Sequence, residues 1–517
     1  ADSAVSPAEV FENCYGAESG RGGDGAYGFG NTDLSIGDGG YPFGLSFWRQ
    51  YSSRRRFEDG PLGLGWTHNL DMQALVKTDT FQFLGNDSPI DAASHIVSLY
   101  VTSSLPDSAI HWHERDITAS LCTTWLMDQM TDEVVVIKQG SGTTTFVKDP
   151  NGTYNPPPGA SLKLTTLPNG AFRLKNSSGI FNDFDPNGYI SQWSDAHGNE
   201  VNFTYTNNKL TRVANEIGGT VVRWIDLTYT GDRITSVSDS AGRSVSYGYD
   251  QIGQLTSFTN LDGNDVTYGY ADDKDGLLDE IYSPIDPNNP VLTVVYDSLD
   301  RMKQQIDAND CAWDYYLATY RSEVVEPNQL DPADPNAGPK RFSTIRWANP
   351  ETKKTITKDQ LGRETTSTYD GQFRTTSVLG ASGMSTQLDY DQNSNVTGVT
   401  SVAIPGSDVN DITVSSDHHD FEDPVTGRWF IDVNETRNIM DLVTKYEYDY
   451  DPNYPNDPNV GNVMRIIYPE VQTPNGTESR IVQFTYYSDG RIHTQTDPNG
   501  MVTHYEYYTP AQGGGLK

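Results

Sequence analysis

Cysteine is scarce in this chain, with three in 517 residues, at Cys14, Cys122 and Cys311. They form no CxxC pair and no haem-attachment spacing, which removes the usual dithiol and zinc-ribbon frameworks. Basic residues are also few. Against 70 Asp and Glu stand only 36 Lys and Arg, a formal net charge of −34. So acidic a surface argues against nucleic acid or an anionic membrane as a partner. No apolar run is long enough to span a bilayer. Hydrophobic residues make up 35%, too few for a continuous thick core between two packed sheets. Helical spacing of apolar residues is nearly missing, and so are a GxSxG elbow, an HExxH and a P-loop. Paired carboxylates are so common that none is singled out as an acid–base pair. An enzyme is the class with least support.

What the chain has instead is tyrosine, 30 of them, in a phrase that returns. Gly-Arg-Ser-Val-Ser-Tyr-Gly-Tyr-Asp ends at Asp250 and Gly-Arg-Glu-Thr-Thr-Ser-Thr-Tyr-Asp at Asp370. Related copies end at Tyr270 and Tyr508, and looser ones at Tyr205, Tyr229, Tyr296, Tyr390, Tyr448 and Tyr486. The spacing from Tyr249 to Tyr270, and again from Tyr369 to Tyr390, is about 21 residues, the size of one hairpin with its turns. Val245, Tyr247 and Tyr249 alternate with Ser244, Ser246 and Gly248, the period of a strand. Turns such as Asp262-Gly263 close the hairpins. The connections are too short for parallel crossovers, so the sheet is antiparallel. Tyrosine joins an apolar ring to a hydroxyl that can stay wet. Rows of it suit a single sheet with solvent near both faces, wound into a spiral and joined edge to edge.

Ala1 to Gly28 is small, polar and glycine-rich, and it reads as an N-terminal arm with the look of a mature secreted start. Residues 29–75 are denser in aromatics. Residues 76–140 break the pattern. Ile117, Leu121, Trp125 and Met130 there predict one short helix over Asp116 to Met130. Hairpin repeats then run over 141–510, followed by a tail at 511–517. Asp272 to Pro290, Asp310 to Pro350 and Val402 to Met440 interrupt the repeat and read as surface excursions.

The phrases "YGYDQIGQLTSF" from Tyr247 and "GRETTSTYDGQFRTTS" from Gly362 resemble the repeat of the RHS/YD-repeat family. "GYPFGLSFWRQYSS" with "GPLGLGWTHNLDM" is similar to the segment that precedes the repeats in its bacterial members. The resemblance implies an all-β fold of antiparallel hairpins wound as a spiral single-layer sheet, an RHS-type shell or strip. In some members such a shell encloses a C-terminal toxin. Asp423-Pro424-Val425-Thr426-Gly427-Arg428 resembles a motif that the family places before its toxin, yet further repeats follow it here.

Candidate ligand sets are sparse. Asp449, Asp451, Asn453 and Asp457 crowd one loop with oxygen ligands, a possible calcium site or an ordinary solvated turn. His111 and His113, and His418 with His419, Asp417 and Asp420, could hold a metal but lack the further spaced ligands that mark zinc. Cys14 and Cys122 could bridge the arm to the insertion, or all three thiols could stay free. Asn-x-Ser/Thr sequons at Asn86, Asn151, Asn176, Asn202, Asn395, Asn434 and Asn475 could carry glycans.

Three functions compete. The first is a non-catalytic extracellular or cell-surface scaffold that assembles with copies of itself into a surface layer, sheath or fibre. Its motive is that the end strands of a repeat array invite pairing. The second is the shell portion of a toxin-delivery protein, enclosing a peptide. The third is an adhesin that binds cell-surface polysaccharide through Trp48, Trp66 or Trp193, where buried packing is the plainer role of each.

Overall fold

The computed structural model describes residues 25–37, 44–77, 94, 96–98, 117–123, 134–148, 152–157, 159–272, 274–318, 320–325, 343–349, 351–359, 361–404, 410–454, 460–474, 476–509 and 516. Its dominant element is a 29-stranded antiparallel sheet running from Leu162–Thr166 to Val502–His504. Strands follow one another in sequence order, each paired with the one before it. The expected all-β spiral strip is therefore present.

The repeat has a physical cause at each of its key residues. In Ser244–Tyr249 the pairing shifts register between Gly248 and Tyr249. The same bulge falls immediately before Tyr205, Tyr229, Tyr270, Tyr296, Tyr369, Tyr390, Tyr448 and Tyr486. A bulge bends its strand and sharpens the local twist, and here it recurs on one edge of the sheet. That regular bias curls the strip. The bulged tyrosine then reaches back to the preceding repeat. Tyr270 donates its hydroxyl to the Leu255 carbonyl at 2.8 Å, Tyr390 to Thr375 at 2.7 Å and Tyr448 to Val433 at 2.7 Å. Neighbouring repeats are thus linked hydroxyl to backbone. The aspartate after the tyrosine builds the turn. Asp250 Oδ1 accepts the amides of Ile252 and Gln254, and Gly253 takes φ +87° to close the loop.

Three expectations need adjusting. Residues 134–155 do not join the long sheet. Val134–Gln139 pairs with Met72–Lys77 on one side and Gly142–Lys148 on the other in a separate four-stranded sheet, so that pairing bridges the stretch expected as an insertion. Helix is found at 117–123 and also at 94 and 96–98. Ile117 and Leu121 are exposed on it, while Asp116, Trp125 and Met130 lie outside the described residues. The supposed excursions mostly carry strands: Leu278–Ser283, Asp286–Tyr296, Ala312–Ala318, Ile412–Glu422 and Trp429–Arg437 all belong to the long sheet. Longer hairpins break the sequence period without breaking the pairing. Residues 326–342, the arm to residue 24 and the tail at 510–515 lie outside the described residues.

The core is unevenly distributed. A small sheet of Gly28–Ile36, Leu45–Ser52 and Trp66–His68 lies on the long sheet, and one apolar cluster runs from Tyr27 to Val324 across both. A face-packed core therefore exists over the first half, contrary to the expectation drawn from composition. The aromatics of residues 25–72 supply what the repeats lack. From Ser343–Asn349 onward the strands are mostly half-buried on both faces, with one smaller cluster at Phe430, Tyr448 and Tyr450.

Candidate functional site

The sheet returns to itself, and the place where it does so is the best-built site in the molecule. Phe172–Asn176 is second in the strand order and Trp429–Arg437 twenty-fourth, yet they meet. Phe430 bridges Ser178, the Gly179 amide donates to the Trp429 carbonyl at 2.8 Å, and the Ile431 amide donates to Ser177 at 2.9 Å. Arg428 Nη1 donates to the carbonyls of Gly179 and Ser194, at 2.6 and 3.1 Å. Its guanidinium lies 4.3 Å from the Phe181 ring centroid. Lys163 and Lys175 both reach Glu422, at 2.9 and 3.0 Å.

Farther along the same seam, His197 Nε2 is 2.9 Å from Asn462 Oδ1, and Asn199 donates to the Asp489 carbonyl at 3.0 Å. At its other end Ser161 donates to the Asn393 carbonyl at 2.5 Å. Every one of these contacts joins strands about 22 places apart. One circuit of the spiral therefore takes about 22 strands. Hairpin turns on one rim of the first circuit carry the turns of the opposite rim of the second.

Residues 25–77 cover the remaining rim of the first circuit. The Ala74 amide donates to Gly188, the Ile234 amide to Pro61 and the Met302 amide to Gly25. A Cβ on Gly188 or Gly276 would strike the Ala74 or Arg56 carbonyl of the cap within 2.4 Å. Both turns also take positive φ, +85° and +72°, so glycine meets the backbone geometry and leaves room for the cap.

The cap is pinned by a buried ion pair. Arg49 Nε lies 2.7 Å from Asp33 Oδ2, and neither side chain is more than 1% exposed. Tyr247 from the long sheet donates to the same oxygen at 2.8 Å. The guanidinium lies 4.4 Å from the Phe258 centroid and 5.2 Å from those of Trp66 and Tyr268. Burial drives the Asp33 carboxyl up, while Arg49 and the Tyr247 hydroxyl pull it down. Burial also pushes the Tyr268 hydroxyl up to about 12. Nearby, Tyr51 donates to the Gly276 carbonyl at 2.7 Å and Trp66 Nε1 to the Tyr270 hydroxyl at 2.9 Å.

The residues singled out in the sequence fall elsewhere or serve other purposes. Asp449 is 1% exposed, and its carboxylate accepts the amides of Val460, Gly461 and Asn462 at 3.0–3.4 Å. It holds the loop that carries Asn462 to the seam. Burial pushes this carboxyl up to about 6. Asp451 accepts the Tyr448 amide at 2.7 Å, Asn453 is exposed, and Asp457 lies outside the described residues. His418 and His419 are successive strand residues, and they approach different carboxylates, Asp391 at 3.9 Å and Asp451 at 3.8 Å. Asp420 bonds Trp429 Nε1 and Asn393. Among the described residues no group of three or more His, Cys, Asp or Glu could hold a metal ion.

His111, His113 and Cys14 lie outside the described residues, and Cys122 carries a free thiol. Trp66 is buried, Trp193 packs against the core, and Trp48 covers Gly30. The seam itself escaped sequence reading. Its one signal was the Asp423–Arg428 phrase, whose arginine and the Phe430 that follows it make the contact.

A family model described as a domain of unknown function, DUF6531, matches residues 24–89, the cap and its continuation. No curated protein sequence matches the chain. Among solved structures, a crystal structure of TcdB2-TccC3 is similar at 12% identity and TM-score 0.35, over 75% of this chain and 28% of that one. A Photorhabdus luminescens Tc holotoxin pore carrying a TccC3 substitution is similar at 12% identity and TM-score 0.34, over 74% and 27%. This chain thus spans just over a quarter of the length of these structures. No helix among the described residues is long and apolar enough to cross a membrane.

Proposed function

We propose that this protein is a non-catalytic wall segment of a hollow RHS/YD-type shell, exported from the cell and able to enclose a polypeptide. The observation that carries the reading is the seam: strands about 22 places apart meet turn to turn, so the strip closes back onto itself as it winds. The tyrosine repeat and the similarity of residues 29–75 to the segment that precedes such repeats support it. A fibre built head to tail needs two free complementary rims, and here one is covered by residues 25–77. The adhesin reading loses Trp66 to the core.

Electron cryomicroscopy of the whole chain tests the proposal. Beyond the part packed against residues 25–77, a wall one sheet thick around a central void is expected. A filled two-layer body along its whole length would overturn it.

A further inference from the structure

Pro-Asn-Gly occurs five times in this chain, at 150–152, 168–170, 186–188, 474–476 and 498–500. Asn151 and Asn475 lie outside the described residues. The other three asparagines are exposed and sit in turns of one shape. Each glycine amide donates back across its turn, Gly170 to the Leu167 carbonyl at 2.9 Å, Gly188 to Asp185 at 2.9 Å and Gly500 to Asp497 at 3.0 Å. The three glycines hold φ of +85°, +85° and +81°. Asp185 and Asp497 brace their turns alike, since Oδ1 of each accepts the asparagine amide and the amide two residues beyond.

What differs is the cover over the glycine. Gly170 and Gly500 are exposed, and a Cβ on either would meet nothing within 4 Å among the described residues. Gly188 is buried. Its carbonyl accepts the Ala74 amide at 2.7 Å, and a Cβ on it would lie 2.1 Å from the Ala74 carbonyl oxygen. Gln73 forms a backbone bridge with Tyr189 beside it.

Asparagine is a chemically labile residue, and before glycine no Cβ obstructs the approach of the next amide to its side chain. The glycine nitrogen gives its proton to base and bonds to the asparagine Cγ. The Cγ–Nδ2 bond breaks, and Nδ2 takes up a proton and leaves as ammonia. The product is a five-membered imide. One water then opens either of its C–N bonds, giving aspartate or isoaspartate. Ring closure requires the glycine amide to leave its turn bond and its peptide plane to swing toward the side chain. At Gly188 the same swing must also break the bond to Ala74 and push against the cap.

We infer that Asn169 and Asn499 are sites of spontaneous succinimide formation, and that the docked cap shields Asn187 from the same reaction. Asn187 is thereby a covalent record of cap release. The inference rests on the cap contacts alone and stands or falls apart from the wall reading.

Peptide mapping by mass spectrometry, on the whole chain held at mildly alkaline pH, tests it. Asn169 and Asn499 should gain the mass of an amide-to-acid exchange and yield both aspartate and isoaspartate peptides. Asn187 should react more slowly by about tenfold or more, as a site that waits on local opening does. In urea that unfolds the chain, the three should react at one rate. Arg49→Ala, which unpins the cap, should speed Asn187 and leave Asn499 unchanged. Where that variant does not fold, the unaltered chain in urea below its unfolding transition makes the same comparison. Equal rates at the three sites in the folded chain would overturn the inference. So would three equally slow sites, which would assign the protection to the turn bonds, or an Asn187 rate unmoved when the cap is loosened.

Discussion

Arg49 shows what one residue can decide. Its cation lies in a box of Trp66, Phe258 and Tyr268, paired to Asp33. Removing one member of a buried pair leaves the other charged in a dry site, at a cost of about 3–5 kcal/mol. Arg49→Ala should therefore lower unfolding free energy by about that much in a urea titration. Replacing both partners, Asp33→Asn with Arg49→Met, should cost less. Equal losses would show that the pair's charge is not what matters.

Two other buried groups set opposed pH dependences. The Asp449 carboxyl is raised from 3.8 to about 6, mainly by burial. Its contribution is thus fully present below 3.8 and lost as the pH rises through about 6. Burial lowers His68 from 6.5 to about 4, so its contribution is complete above 6.5 and lost as the pH falls through 4. Between these limits Asp449→Asn should remove a decline of melting temperature with rising pH, and His68→Gln should remove a rise. Unchanged slopes in thermal melts would refute both assignments.

At the scale of elements, the unit is a bulge, a tyrosine reaching back and an aspartate closing the turn. Losing a tyrosine hydroxyl to a carbonyl typically costs about 0.5–1.5 kcal/mol. Tyr390→Phe should fall in that range. Tyr270→Phe should cost more, because its hydroxyl also accepts the Trp66 indole N–H, and denaturant melts of the two variants settle the order. Much of this was legible in the sequence, since alternation and Asp-Gly turns are local and the tyrosine period reports them. The bulge was not, because it leaves no residue signature beyond the tyrosine it repositions. Nor was the cap's docking, which joins Tyr51 to Gly276 across 225 residues. The stretches expected as excursions are strands because pairing does not depend on the sequence period, and 11-residue strands such as Asp286–Tyr296 pair as well as short ones.

For the whole molecule, the seam is the long-range closure. Arg428→Ala should free the carbonyls of Gly179 and Ser194 and loosen the second circuit from the first. Faster hydrogen exchange at residues 177–199, with circular dichroism unchanged, is the expected result. Unaltered exchange would mean that Phe430 and the backbone bridges suffice. Apart from the Asp423–Arg428 phrase the seam contacts have no signal in the sequence, since they join residues that only the curvature brings together.

Strict strand order has one further consequence, a mechanical one. Apart from the seam contacts, each strand of the long sheet is held by the strands before and after it in the sheet, so tension applied at the C-terminal side meets them one after another. Such a wall should unravel like a hem. Each repeat of about 21 residues would release on the order of 70 Å of chain. In a single-molecule pulling experiment the force trace should be a ladder of small, similar steps, until it reaches the strands clamped beneath Arg49.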